Sequence, residues 1–260
     1  MKNWPDILKK DFDHPAIVLW RAIELRAIEQ VIGKTFLKEP VLDLGCAEGK
    51  IGEVLFKGKR LIGLDNCWEL LSQNQKSGTY TGLVLSDACQ MPYKNEVFGS
   101  IFSNCVIEHI PNIDRVLDEA SRVLNTGGTL LFSVPSQKFA DFLFFSIIFD
   151  NLRLKTFSGW YKKKRNRMLN HYHCYDHKHW KEILEKKGFD LTGYKYYMTR
   201  KVTFVWDFLA FLWFGLKFIK PLSSLLPKVS RRLVGSLNKY YLMDSGIGSG
   251  LVLMAKKRET

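Results

Sequence analysis

Two aspartates, Asp43 and Asp65, lie in successive short apolar runs, VLDL and LIGLD. After the first, the chain turns through Gly45-Cys46-Ala47-Glu48-Gly49. Glycine has no Cβ, so such a turn can be sharp and can lay backbone amides against a ligand at a helix N-terminus. An acid at the end of the next strand, about 20 residues on, can accept hydrogen bonds from ribose hydroxyls. The turn is not a dinucleotide fingerprint, because Ala47 breaks GxGxxG. Two other groups could move protons. Glu108-His109 follows an apolar run, and HYHCYDHKH (171–179) gathers four of the six histidines with Tyr172, Cys174, Tyr175 and Asp176. The spacing in that stretch fits no standard zinc motif, so no metal is expected. His177 and His179 open a helix and are read as facing solvent.

These residues must be placed by the elements around them. Apolar residues at helical spacing over 15–32 predict a helix, with charges at Arg21, Glu24, Arg26 and Glu29, opened by Pro15 and stopped by Gly33. Short apolar runs then alternate with helical stretches. Strands are expected at 41–45, 60–65, 82–88, 99–105 and 129–135, and helices near 49–56, 67–75 and 112–124. The break Asn125-Thr126-Gly127-Gly128 reads as turn chemistry. That cadence predicts βαβ units and a mostly parallel sheet. It lapses over 136–177, resumes with an amphipathic helix at 177–189 and a strand at 190–198, lapses over 199–248, and ends in a strand at 250–257.

Composition limits the class. The chain has 260 residues, 46% of them hydrophobic, enough for a full core. Its five cysteines are scattered with no CxxC pair, which suits reduced thiols. The N-terminal stretch has neither an apolar h-region nor a small-residue cleavage site, so no signal peptide is read and a cytoplasmic location, peripheral on the membrane in one reading, is expected. Net charge is +13, and it is uneven: residues 1–135 hold 15 Lys/Arg against 17 Asp/Glu, and 136–260 hold 24 against 9. Any anionic surface is therefore met by the second half.

VLDLGCAEG resembles the first signature of class I S-adenosylmethionine-dependent methyltransferases, with Ala47 in place of the commoner glycine. LIGLDN (61–66) is similar to that family's acidic, ribose-holding loop. SDACQMPYKNEVFGSIFSNCVIEHI (86–110) and VLDEASRVLNTGGTLLFSVP (116–135) resemble, in order, the later motifs of the type-11, quinone-biosynthesis-like branch. The resemblance spans roughly 38–135, with weaker support from 177–198 and 250–257. It implies a doubly wound, Rossmann-like α/β fold: a seven-stranded mostly parallel sheet with an antiparallel last strand. The implied cofactor is S-adenosyl-L-methionine. Asp43 and Gly45, with Cys46, Ala47 and Gly49, would face its methionine end. Asp65 and Asn66 would face the ribose, Asp87 and Ala88 the adenine, and Asn104 the floor beneath the sulfonium.

Methyl transfer from a sulfonium is an in-line displacement that needs alignment and, for some acceptors, removal of a proton. His109 is a candidate base, and a structural or cofactor-shaping role is the other reading. His171, His173 and Tyr175 are acceptor-site candidates beside the alternative of a polar loop. Asn104 is followed by Cys105-Val106, not by the Pro-Pro-aromatic step of methyltransferases acting on exocyclic amines of bases, which counts against nucleic acid despite a pI near 9.5.

The expected organisation is an N-terminal helical extension (1–37), a cofactor-binding core (38–135), an insertion over the substrate side (136–177), and completion of the sheet (178–260) with an apolar, basic insertion at 199–248. Both insertions are aromatic and basic. VTFVWDFLAFLWFGLKFI (202–219) is short for a membrane span and holds Asp207. Flanked by Arg200, Lys201, Lys217, Lys220, Lys228, Arg231 and Arg232, it suits a helix in the membrane interface, with KKKRNR (162–167) adding attraction to anionic lipid through the segments 136–177 and 199–232. A lid or a dimer interface is the alternative. The expected function is methyl transfer to a membrane-associated or lipid-linked small acceptor. The rivals are a soluble small-molecule or sugar methyltransferase with a hydrophobic lid, a nucleic-acid methyltransferase, and a non-catalytic scaffold.

Overall fold

The computed structural model describes residues 4–8, 14–33, 35, 37–75, 78–216 and 246–259. The second insertion beyond residue 216, with Lys217, Lys220, Lys228, Arg231 and Arg232, lies outside the described residues. The chain divides into two compact units. One joins Val31–Pro135, Asn170–Tyr194 and Val252–Thr260; the other joins Met1–Gln30, Ser136–Leu169 and Lys195–Leu251.

The first of these units carries most of a seven-stranded sheet. Strands β1 (Val41–Leu44), β2 (Leu61–Asp65), β3 (Gly82–Leu85), β4 (Phe98–Asn104), β5 (Leu124–Pro135), β6 (Phe189–Tyr197) and β7 (Gly250–Lys257) lie in the order β3-β2-β1-β4-β5-β7-β6. The β1–β2, β2–β3, β1–β4 and β4–β5 pairs are parallel. β7 is antiparallel: Arg258 N–H donates to the Gly188 carbonyl, and Ser249 N–H to that of Met198. β1 is buried along its whole length, as expected of a central parallel strand whose two faces are both covered. Helices α3 (Lys50–Phe56), α4 (Trp68–Asn74), α5 (Ile113–Val123) and α8 (His177–Lys186) complete this unit. In α5, Ile113, Val116, Leu117, Ala120 and Val123 form one buried stripe at helical spacing, and the Asn112 side chain caps its start by accepting from Arg115 N–H. The expected turn at 125–128 sits inside β5 as an irregularity. Register passes from Phe98↔Leu124 to Ser100↔Thr129, so the extra residues loop out, with Gly127 at φ 69°.

The other unit is helical. It contains α1 (Trp4–Leu8), most of α2 (Pro15–Ile32), α6 (Phe144–Asn151), α7 (Lys155–Met168) and α9 (Arg200–Leu216). Part of the aromatic content of the first insertion packs here, around Phe139. Trp20 packs edge-on against Phe139 and Tyr197 and at a tilt against Trp206. Two acids are buried in this apolar setting. Glu24 meets Arg21 at 2.6 Å and accepts from the Tyr197 hydroxyl at 2.7 Å. Asp207 accepts from Arg165 and from the first amide of α6, Phe144 N–H, both at 3.0 Å. Each thereby has the partners that a buried charge requires. Ser136 N–H donates to the Ser249 carbonyl, and Ser249 N–H to that of Met198, so the chain leaves β5 and β6 at the same end of β7.

Candidate functional site

The turn after β1 is built on left-handed backbone. Gly45, Ala47 and Gly49 have φ of 76°, 45° and 81°. Gly49 caps α3, and a Cβ there would collide with the Asn74 side-chain amide. Ala47 holds with a side chain a conformation that glycine adopts at lower cost. What pins Ala47 is Asp65. Its Oδ2 accepts from Ala47 N–H and its Oδ1 from Cys67 N–H, each at 2.9 Å. The acid closing β2 thus ties the β1 turn to the start of α4, and each oxygen retains a lone pair for a ligand hydroxyl. Asn74, fully buried, adds a bond from its Nδ2 to the Ala47 carbonyl at 3.3 Å and lies 3.6 Å from Cys46 Sγ. Burial pushes the Cys46 thiol far up, so it is an inert packing group.

Asp43 lies under this turn, 3% exposed. Burial pushes its carboxyl up to about 7, against the lowering effect of a hydrogen bond from Tyr80 and with the negative charge of Asp65 raising it further. Asn66 and Asp87 are exposed and Ala88 is buried. Asp87 Oδ1 accepts from Cys89 N–H at 2.8 Å, which closes the loop after β3. At the end of β4, Asn104 Nδ2 donates to Ser133 Oγ on β5 at 2.6 Å.

The proton-handling candidates come together within the same unit. The 3-10 turn Ile107–His109 follows β4, and 170–173 runs along it. Tyr172 N–H donates to the Glu108 carbonyl at 2.9 Å, and His109 Nδ1 donates to that of Asn170 at 3.3 Å. His109 and His171 have ring centroids 5.4 Å apart. Glu108, buried, has Oε1 3.7 Å from His109 Nε2. One donor atom each from Glu108, His109 and His171 lies within 4.8 Å of the others, the one such grouping with a metal-capable donor set among the described residues. His173 has a different environment: it is buried, its Nε2 donates to the Ile110 carbonyl at 2.9 Å, and its Nδ1 faces the Tyr175 hydroxyl at 3.3 Å. The Nε2 bond therefore holds 171–175 against the turn after β4, while the Tyr175 contact stays within that segment. Asp176 caps α8 through His179 N–H, and His177 stacks on Tyr194 at 4.0 Å.

Asn74 and Tyr80 are not evident from the sequence. Each is a single polar residue without a spacing signal, and only the fold brings them to Ala47 and Asp43.

The strand order, the antiparallel β7, the glycine turn after β1 and the acid closing β2 define a class I methyltransferase fold. Residues 42–132 match the family model described as a methyltransferase domain. Residues 42–132 thus carry a methyltransferase domain of the type-11 branch, on a class I methyltransferase fold. The chain is 33% identical over 97 residues to a malonyl-[acyl-carrier protein] O-methyltransferase of Hamiltonella defensa, covering 37% of this chain and 38% of that one. It is 27% identical over 147 residues to a ubiquinone biosynthesis O-methyltransferase of Coxiella burnetii, covering 53% and 62%. The match thus spans well under half of the first relative's length. Among solved structures, a phosphoethanolamine N-methyltransferase 2 of Haemonchus contortus, in complex with S-adenosyl-L-methionine, aligns with TM-score 0.58 at 17% identity, over 100% of this chain and 61% of that one.

Proposed function

We propose that this chain is an S-adenosylmethionine-dependent methyltransferase acting on a small acceptor that is lipid-linked or membrane-associated. The observation that carries the cofactor half is the Asp65 carboxylate, which clamps the left-handed turn after β1 through Ala47 and Cys67. The donor set suits the ligand. Asp43, Gly45, Cys46, Ala47 and Gly49 serve its methionine end, Asp65 and Asn66 its ribose, Asp87 and Ala88 its adenine, and Asn104 the region of the sulfonium. When bound, this cofactor supplies an electrophilic methyl group. The chain's part is alignment, and His109 or His171 takes the proton when the acceptor gives one up. His173 and Tyr175 shape the acceptor side. In this division of labour 38–135 holds the cofactor, while 136–177 and 199–248 serve the acceptor.

The membrane half of the proposal is supported by the hairpin of α6 and α7. Leu152, Leu154, Phe157, Trp160 and Met168 are 41–64% exposed on this one hairpin. On α7, Lys163, Lys164 and Arg167 share the outward face, with Lys164 Nζ 4.8 Å over the Trp160 ring. Aromatic side chains interleaved with cations suit a bilayer interface. Among the described residues no helix is long and apolar enough to cross a membrane. The relative from Coxiella burnetii is named for ubiquinone biosynthesis, which is in keeping with an apolar acceptor.

Calorimetric titration with S-adenosylhomocysteine tests the first half; no binding refutes it. Labelled methyl transfer into membrane and soluble extracts tests the second. Label confined to a water-soluble product would overturn the lipid-linked acceptor.

A further inference from the structure

Tyr80 precedes β3, and its hydroxyl donates to Asp43 Oδ2 at 2.5 Å, the short distance of a charge-assisted bond. The surroundings are built for this contact. Gly52, in the first part of α3, faces the pair, and a Cβ there would overlap both the Tyr80 hydroxyl and Asp43 Oδ2. Two groups besides burial bear on the charge of Asp43: the Tyr80 hydroxyl and Asp65 on β2, while the Cys46 thiol in the turn, raised by burial, stays neutral. Tyr80 alone among them favours the charged carboxylate. Burial and the neighbouring carboxylate push the Tyr80 phenol far up, so it remains a donor throughout the working range of pH.

We propose that Tyr80 is a positioning residue for the cofactor: it holds the Asp43 carboxylate charged and fixes its orientation, so that the second oxygen pairs with the ammonium group at the methionine end. This rests on the reading that Asp43 faces that end. A protonated Asp43 cannot pair with an ammonium, so cofactor affinity rises with pH until Asp43 is ionised, at about 7. Below that point the limiting slope is about ten-fold per pH unit. Without the ligand the sign is opposite. The folded-state pKa is raised above the ordinary 3.8, so this group's contribution to stability is fully present below about 4 and is lost as pH rises to about 7.

The test is Tyr80→Phe, which keeps the ring and removes the donor. Binding of S-adenosylhomocysteine is titrated from about pH 5.5 to 9.5, beside thermal melts without ligand. We expect the variant to bind about ten-fold more weakly or worse at pH 7.5, with the break in its affinity profile moved up by about one unit. Its melts keep losing stability above pH 7, where those of the wild type level off. Superimposable affinity profiles overturn the proposal. A wild type that binds no S-adenosylhomocysteine at any pH refutes the methyltransferase reading and, with it, the cofactor role of Tyr80; superimposable melts then refute the Tyr80–Asp43 linkage as well.

Discussion

Replacing Lys163, Lys164 and Arg167 together with glutamine tests membrane attachment without touching the fold. The structure separates the basic residues of α7 into two sets. Lys162 lies 3.0 Å from Asp141 and 2.9 Å from Asp150, and Arg165 lies 3.0 Å from Asp207, so this inward pair is neutralised. Lys163, Lys164 and Arg167 are exposed, beside Phe157 and Trp160. Near an anionic bilayer each such charge contributes about 1 kcal/mol. Losing three costs about 3 kcal/mol, or roughly 150-fold in the binding constant. Surface substitutions of this kind change stability by no more than about 0.5 kcal/mol, so the melting temperature should hold. Vesicle flotation with and without anionic lipid is the assay. The wild type should bind anionic vesicles and lose that binding progressively with added salt. Trp160→Ser should also weaken binding, with little change in salt dependence. Equal binding by wild type and triple variant, or no binding by the wild type, refutes the reasoning.

Asp65→Ala removes two charge-assisted bonds to backbone amides, worth roughly 1.5–3 kcal/mol each, so urea denaturation should show a loss of about 3 kcal/mol or more. Its affinity for S-adenosylhomocysteine should fall by about ten-fold or more, as read by calorimetry. Ala47→Gly relieves a side chain at φ 45°, offset by greater unfolded-chain entropy, so stability should rise by up to about 1 kcal/mol with cofactor affinity little changed. Asp207→Ala leaves Arg165 and the start of α6 without their acceptor and should cost about 3–5 kcal/mol, whereas Asp207→Leu combined with Arg165→Met should recover most of that in thermal melts.

The order of strands and helices up to Pro135 was legible because each element carries its own local signal. Apolar runs alternate with helical stripes, and Gly45, Gly49 and Asp65 mark the places where the backbone must turn or bond. The Asn125–Gly128 break reads as turn chemistry ahead of the strand, but the structure places it inside β5 as an irregularity, which depends on pairing with Phe98 and Ser100. Residues 136–169 gave no periodic reading, because aromatic residues occupy both the packed and the open faces of their helices. The basic run of α7 is uniform in sequence, and its division into neutralised and outward charges depends on where Asp141, Asp150 and Asp207 fall. Glu24 reads as one of four charges spaced along a helix, yet it is buried, because Tyr197 is brought to it from 173 residues away.

By itself, the sequence determined the class of fold and the position of the glycine turn after β1, since both are written in contiguous strand, turn and helix signals. Tertiary structure alone decided that Asp65 clamps Ala47, that Tyr80 reaches Asp43, that His173 is a tether and that His109 and His171 stand together. Those contacts join residues 18 to 63 positions apart, and no local spacing encodes them. Only the burial of the sheet, which forces each polar group to find a partner, selects them.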